Sequence, residues 1–237
     1  MGLRLLKNEH FKIEYPFSKY SYFSGASKED RAALKRIRTI HHFKAGQSVT
    51  FNINNCDGFF YLHEGFTKVT YCRDNLREVI RIAGPNDIAG FARWHSRSGH
   101  YGLTTLSEVT ASFFKKEDFL AIQNASDTLT SEVILWLMRV LISQEERLFS
   151  LKHSTAKTRI AGTLNELHHR FGKCIGGNNC IIAAPIDRKT LADLCGVAIE
   201  VLSRTLSEFE KAEIIKREGR IIIIENSTAL EQLAYGK

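Results

Sequence analysis

The stretch from Asp187 to Ile224, DRKTLADLCGVAIEVLSRTLSEFEKAEIIKREGRIIII, constrains this chain more than any other. Arg188 to Leu194 reads as a short helix with Leu191 and Leu194 on its apolar side. Cys195-Gly196-Val197 is a tight turn, and glycine turns the chain there at least cost. Ala198 to Lys211 reads as a second helix. Its Val201, Leu202, Leu206 and Phe209 follow helical spacing and can face a core. Glu200, Ser203 and Arg204 fall on another face, one turn apart. Two short helices joined by a glycine turn make a helix-turn-helix, whose second helix fits the DNA major groove. Ile214-Ile215, the polar run KREGR and Ile221–Ile224 read as a two-stranded wing with Gly219 in its turn.

The exposed residues have the chemistry for base readout. Arginine pairs bidentately with guanine O6 and N7, and glutamate accepts from cytosine N4. Ser203 can reach a base edge or a phosphate. Arg188, Lys189, Thr190 and the wing residue Arg220 are placed for phosphates. With Ala198 and Ile199 at the start of the second helix, these form the expected DNA-binding set. The competing reading is a solvated face on which Glu200 pairs with Arg204 at i,i+4.

At these residues the chain resembles the Crp/Fnr family of bacterial transcription regulators. The run TLADLCGVAIEVLSRTLSEFEKAEII looks like that family's signature. Glu200-x-x-Ser203-Arg204 resembles the Fnr-type recognition helix rather than the Crp type, which carries an extra arginine where Ile199 stands. The resemblance implies half-sites akin to TTGAT. It also makes Thr158-Arg159-Ile160-Ala161 part of the first helix of the DNA-binding domain.

Charge supports an anionic partner only in bulk. The net charge is +7, but residues 1–44 carry ten Lys/Arg against four Asp/Glu, while residues 153–237 carry twelve against ten. The excess is not at the helix-turn-helix, so the local motif carries the DNA argument. No apolar run approaches a membrane span, and Leu3, Leu5 and Leu6 make too short a stretch for a signal peptide. A cytoplasmic protein is expected. The five cysteines (Cys56, Cys72, Cys174, Cys180 and Cys195) are scattered and odd in number, so reduced thiols are the default.

Ser27-Lys28-Glu29-Asp30 has capping-box character before a short helix over Arg31–Ile37. From His41 to Phe119, short β-rich runs alternate with turn residues: Gly46 to Phe51, Phe59 to Leu62, Phe66 to Cys72, Arg77 to Ile82 and Thr104 to Phe114. That pattern suggests a barrel or jelly roll. FKAGQSV, GFFYLHEGFTKVTY and PNDIAGF resemble strands of the family's cyclic-nucleotide-binding-type barrel, with Gly46, Gly65 and Asn86-Asp87 at strand junctions. Ser126 to Leu151 is the strongest helix. Ile134, Leu137, Leu141, Gln144, Leu148 and Leu151 alternate spacings of three and four, a heptad seam. Val133, Trp136 and Val140 form a second stripe. Two stripes need two partners, which favours a twin helix on one and the barrel on the other over burial within one chain. Ser154 to Phe171 reads as another helix, Gly172 to Asn179 as a loop, and Cys180 to Ala184 as a short strand.

The resemblance places an effector pocket at Gly90, Phe91, Ala92, Arg93, Leu103 and Thr104. Phe91 stands where the cyclic-nucleotide branch carries glutamate, and Tyr101-Gly102-Leu103-Thr104 lacks that branch's arginine. A buried phosphate needs a matched cation, so the pocket argues against cyclic AMP. Arg93, His95, Arg97 and His100 read as an exposed basic loop before an anion site. The oxygen-sensing branch clusters cysteines near its N-terminus; none precedes Cys56 here, which argues against an iron–sulfur cluster. Haem would need axial ligands of the type of Cys72, His63 or His95. Cys174 and Cys180 alone do not complete a zinc site. Cys195 in the turn reads as an inert small residue before a redox switch. No P-loop, HExxH, GxSxG or CxxC is present, so no enzyme and no metal site is expected.

The reading is therefore an α+β chain in three parts. Residues 1–125 form an N-terminal β-barrel sensor with a basic leading segment, 126–152 a dimerisation helix, and 153–237 a winged helix-turn-helix. The expected function is sequence-specific transcription regulation by a homodimer on a roughly palindromic site, with an effector still unidentified. The resemblance implies RNA polymerase as a partner and no membrane. The alternative is an allosteric small-molecule-binding protein that no longer reads specific DNA.

Overall fold

The computed structural model describes residues 25–91, 100–176 and 179–235. The chain opens on α1 (Lys28–Ile37). Ser27 caps it with a full capping box: its hydroxyl accepts from the Asp30 backbone N–H at 2.9 Å, and the Asp30 carboxylate accepts from the Ser27 N–H at 3.1 Å. The same carboxylate accepts from the Thr128 hydroxyl at 2.6 Å, which ties α1 to the long helix 98 residues away.

Nine strands follow: β1 (Thr39–Phe43), β2 (Ser48–Val49), β3 (Asn52–Ile53), β4 (Cys56–Glu64), β5 (Thr67–Arg73), β6 (Leu76–Ala83), β7 (Ile88–Ala89), β8 (His100–Thr105) and β9 (Val109–Lys115). They form two antiparallel sheets. One has the order β1-β9-β4-β3 with β7 also on β4, and the other β2-β8-β5-β6. The expected single strand from Thr104 to Phe114 is two strands, because the chain turns at residues 106–108 and crosses from one sheet to the other. Gly46, Gly65 and Asn86 all have positive φ, as the junction reading requires.

Two Phe-Phe pairs explain how one sheet serves two cores. Neighbours on a strand point to opposite faces. Phe60 and Phe113 therefore turn into the space between the sheets with Phe51, Leu62, Val69 and Leu103. Phe59 and Phe114 turn outward, where they meet Phe119 of α2 (Lys116–Asn124) and Leu129, Val133 and Trp136 of α3 (Asp127–His153). The α2 helix was outside the expectation above; the other expected stripe of α3 does cover the barrel.

The third core belongs to the C-terminal part. It comprises α4 (Ala156–Phe171), β10 (Gly172–Gly176), β11 (Asn179–Ile182), α5 (Arg188–Cys195), α6 (Ile199–Lys211), β12 (Ile215–Glu218), β13 (Ile221–Ile224) and α7 (Ser227–Tyr235). The two-stranded wing forms as expected, β12 antiparallel to β13 with Gly219 at φ 64° in its turn. One expectation is corrected: the wing is the edge of a larger sheet, β10-β11-β13-β12, so the segment expected as a loop from Gly172 begins as a strand. The Ile-rich β13 is flanked on both sides, by β11 and β12, which explains its unbroken apolar run. The chain also continues into α7, whose fully buried Leu230 joins this core.

Val79 and Ile82 of β6 are buried in the same cluster as Ile160, Leu164 and Leu191, so the C-terminal part docks on the barrel. A buried ion pair seals the contact, Arg170 to Asp87 at 2.9 Å, and Arg170 also donates to the Ile82 carbonyl at 2.9 Å. Among the described residues, no helix is long and apolar enough to cross a membrane.

Candidate nucleic-acid interface

The first helix of the motif, α5, starts at an N-cap, Asp187. Its carboxylate accepts from the Thr190 backbone N–H at 2.8 Å and from the Thr190 hydroxyl at 3.0 Å. Burial works to raise the Asp187 carboxyl. The two Thr190 bonds, with Lys68 and Arg220 nearby, nevertheless hold it below its ordinary value. The helix ends at Gly196, whose φ of 62° is the left-handed cap that glycine adopts freely.

Arg159 of α4 then staples the turn. Its guanidinium donates to the carbonyls of Cys195 at 3.1 Å, Gly196 at 3.2 Å and Ser154 at 2.8 Å. A cation at the carboxyl end of α5 answers the partial negative charge there. Sequence reasoning placed Arg159 only by its segment; its role depends on the docking of α4 against the turn.

Across the turn, α6 buries Leu202, Thr205, Leu206 and Phe209. Val201, expected with the core, is half-buried, and Thr205 takes the inward position beside Leu206. The opposite side is open. Ala198, Ile199, Glu200 and Arg204 are exposed, and Ser203 is half-exposed. Among the described residues, neither Glu200 nor Arg204 makes an ion pair or a side-chain hydrogen bond within the chain, so the i,i+4 pairing that would explain both as a solvated couple does not form. Arg188, Lys189 and Arg220 are exposed beside this face. The wing is fixed to α6 by Arg217, which donates to Ser207 at 3.2 Å and ion-pairs with Glu210; that hydrogen bond lowers the Glu210 carboxyl.

Thr190 differs from the rest of the set. It is 1% exposed, and its hydroxyl accepts from Lys68 Nζ at 3.4 Å, from 122 residues away on β5. Expected as a phosphate contact, it is turned inward in this arrangement.

The effector-pocket residues divide between layers. Leu103 lies in the core between the sheets, and Gly90 has φ 102° and stands against the Phe51 ring, which leaves no room for a side chain. Phe91 faces the other way, edge-on to Phe59 at 5.3 Å and to Trp136 of α3 at 5.2 Å. Thr104, next to Leu103, points to the opposite side of β8. Ala92, Arg93, His95 and Arg97 lie outside the described residues.

Of the suggested haem ligands, the described Cys72 and His63 are each hydrogen-bonded elsewhere, and His95 lies outside the described residues. Cys72 on β5 accepts from Arg77 Nε at 3.3 Å, while His63 on β4 shares a 2.7 Å hydrogen bond with Ser112. Among the described residues, no group of three His, Cys, Asp or Glu is arranged to hold a metal ion. Cys195 is buried, which pushes its thiol up to about 12, so it is a protonated core residue at physiological pH.

On the outer face of α3, Ile134, Leu137, Leu141, Leu148 and Leu151 are 43–58% exposed, with Gln144 exposed among them. The seam read from the heptads is thus a half-exposed apolar strip, with Leu151 at its end close to Gly196.

Residues 158–233 match the Crp-like helix-turn-helix domain. The chain is similar to the transcriptional activator protein FnrL of Cereibacter sphaeroides, 22% identical over 210 residues that cover 86% of this chain and 84% of that protein. It is also similar to the nitrogen fixation regulation protein FixK of Bradyrhizobium diazoefficiens, 24% identical with the same coverage of 86% and 84%. Among solved structures, FixK2 from Bradyrhizobium japonicum shares the fold, with a TM-score of 0.71 and 19% identity over 83% of this chain and 97% of that one.

Proposed function

The chain belongs to the Crp/Fnr family of DNA-binding transcription regulators, and from that premise we propose that it reads a roughly palindromic DNA site as a homodimer. The observation that carries this is the uncommitted face of α6. Arg204 and Glu200 are charged, exposed and unpaired within the fold, one turn apart on a helix otherwise fixed by its core. Arg204 contacts guanine, Glu200 accepts from a neighbouring base, and Ser203 supports one of them. Ala198 and Ile199 lie close to the bases at the helix start. Arg188, Lys189 and Arg220 neutralise phosphates on either side.

The strip Ile134, Leu137, Leu141, Gln144, Leu148 and Leu151 is the surface for the second copy, with the polar Gln144 setting register. A symmetric pair presents two recognition helices to successive major grooves, about one helical turn apart. In this reading residues 1–125 are the sensor, 126–152 the dimer helix and 153–237 the DNA-binding part. The protein works in the cytoplasm, and RNA polymerase is its partner at promoters. Regulators of this family are not enzymes, and the role proposed here is binding alone.

The test is selection of bound sequences from random double-stranded DNA, followed by footprinting on the selected site. A two-fold symmetric footprint with half-sites akin to TTGAT is expected. Binding with no sequence preference across the selection overturns the reading and leaves an allosteric protein that does not read specific DNA.

A further inference from the structure

A cavity of about 920 Å³ lies where the barrel, the long helix and the helix-turn-helix meet. That volume is in the range of small-molecule sites, about 300–1,000 Å³. It lies away from Gly90 and Leu103, so it is not the pocket expected from resemblance.

Its lining is mostly apolar, with a polar stripe along α3. The stripe that covers the barrel as Val133, Trp136 and Val140 continues at the same spacing as Ser143, Arg147, Ser150 and Ser154. Val140 and this polar continuation both line the cavity, and Arg147 still reaches the barrel at the Ile80 carbonyl. Leu151, Leu167 and Leu194 supply apolar surface on the remaining sides.

Two guanidiniums face this chamber with their charge unanswered by a carboxylate. Arg147 donates to the carbonyls of Ile80 at 2.6 Å and Asp193 at 3.4 Å, and Arg159 donates only to carbonyls of the turn and of Ser154. Neither makes an ion pair among the described residues. Both converge on the carboxyl end of α5, whose dipole supplies only about half a negative charge against two cations. Of the lining carboxylates, Glu166 shares Arg170 with Asp87, at 3.2 and 2.9 Å, and Glu145 and Glu146 are exposed. Partial burial and the neighbouring Glu166 push up the Glu146 carboxyl.

We propose that this cavity binds a small amphipathic organic anion. Its acid group sits between Arg147 and Arg159, and its apolar body lies against Leu167 and Leu194. The walls come from β6, α3, α4, α5 and the end of α7, so an occupant fixes how the helix-turn-helix sits against the barrel. The binding itself does not rest on the DNA-reading proposal, because it is measured without DNA.

Gly162 provides the test. It lines the cavity, and a Cβ built there meets nothing within 4 Å. Gly162→Phe therefore fills the chamber without removing a contact, and Gly162→Ala controls for the loss of the glycine. The full-length protein is titrated with 8-anilinonaphthalene-1-sulfonate, followed by fluorescence, and with the uncharged N-phenyl-1-naphthylamine. Naphthalene-1-carboxylate and 1-naphthyl phosphate compete in separate arms, to tell carboxylate from phosphate ligands. One saturable site per chain is expected, retained in Gly162→Ala and weakened by about tenfold or more in Gly162→Phe, a loss of about 1.4 kcal/mol. Arg147→Gln, which does not depend on the chamber being filled, should weaken the anion and spare the uncharged probe. Absence of a saturable site overturns the proposal, as happens if a second copy of the chain fills the space. A site indifferent to both Gly162→Phe and Arg147→Gln overturns it as well.

Discussion

The outward faces of α3 and α6 are opposites. Along α3 the exposed side is apolar: Leu141 is 58% and Leu148 54% exposed. Along α6 the exposed side is polar, with Glu200 and Arg204 open to solvent above a closed core of Leu202, Leu206 and Phe209. Both helices satisfy their own fold on the inward face, so neither outward face is needed for folding. A strip of leucines in water is stabilised by apolar cover, which another protein surface supplies. A pair of uncommitted charges gains nothing from apolar cover, because burying them costs several kcal/mol each unless matched. The chemistry left over on each helix therefore states what kind of partner it takes.

The largest effect should come from the side of α3 that has already found its partner. Trp136 is 5% exposed and packs against Phe91 and the barrel's outer phenylalanines. Trp136→Ala should cost about 3–5 kcal/mol of stability, read as a lower urea midpoint. Leu141→Glu should cost the isolated chain far less, since its side chain leaves no cavity. It should instead weaken self-association in sedimentation equilibrium by about a hundredfold, or about 2.7 kcal/mol. If Leu141→Glu destabilises the chain as much as Trp136→Ala and leaves its association unchanged, the two faces do not differ as described.

How much of this was legible follows from the range of each interaction. The helix-turn-helix and both stripes of α3 are local periodicities, and the structure forms them within one or two residues of the expected ends. The place of Thr190 at the start of α5 suggests a phosphate contact, yet its hydroxyl meets Lys68 from β5, a contact no local pattern encodes. The resemblance draws the pocket from two stretches of sequence, but adjacent residues on a strand face opposite layers, so Leu103 and Thr104 separate. Gly172 to Asn179 looked like a loop because of its glycines; pairing with β11 makes its first half a strand. Arg147 and Arg159 look like ordinary surface charges in the sequence, and only the docking of α5 brings both to one place.

On α6 the effects should be smaller than on α3 and divided by chemistry. Arg204→Ala should cost about 1–3 kcal/mol per half-site and relax preference at one base position. The measurement is binding to a panel of single-base changes in the selected site, with folding checked by thermal melt. A folded Arg204→Ala protein that keeps the full discrimination pattern would show that α6 does not read bases.

Lys189→Ala should give the smallest effect and the most diagnostic one. Lys189 is exposed at the start of α5, one residue before the buried Thr190, so its removal leaves the N-cap at Asp187 intact. A lysine on a phosphate carries no sequence information. Its loss should weaken binding to every site in the panel by the same factor and leave the preference pattern untouched. Each phosphate contact also releases counterion, so the slope of log affinity against log salt should become shallower by about 0.9 per half-site. Arg204→Ala should change the pattern more than the slope, and Lys189→Ala the slope and not the pattern. If Lys189→Ala alters base preference, the division of labour between the two helices of the motif is wrong, and α5 takes part in readout.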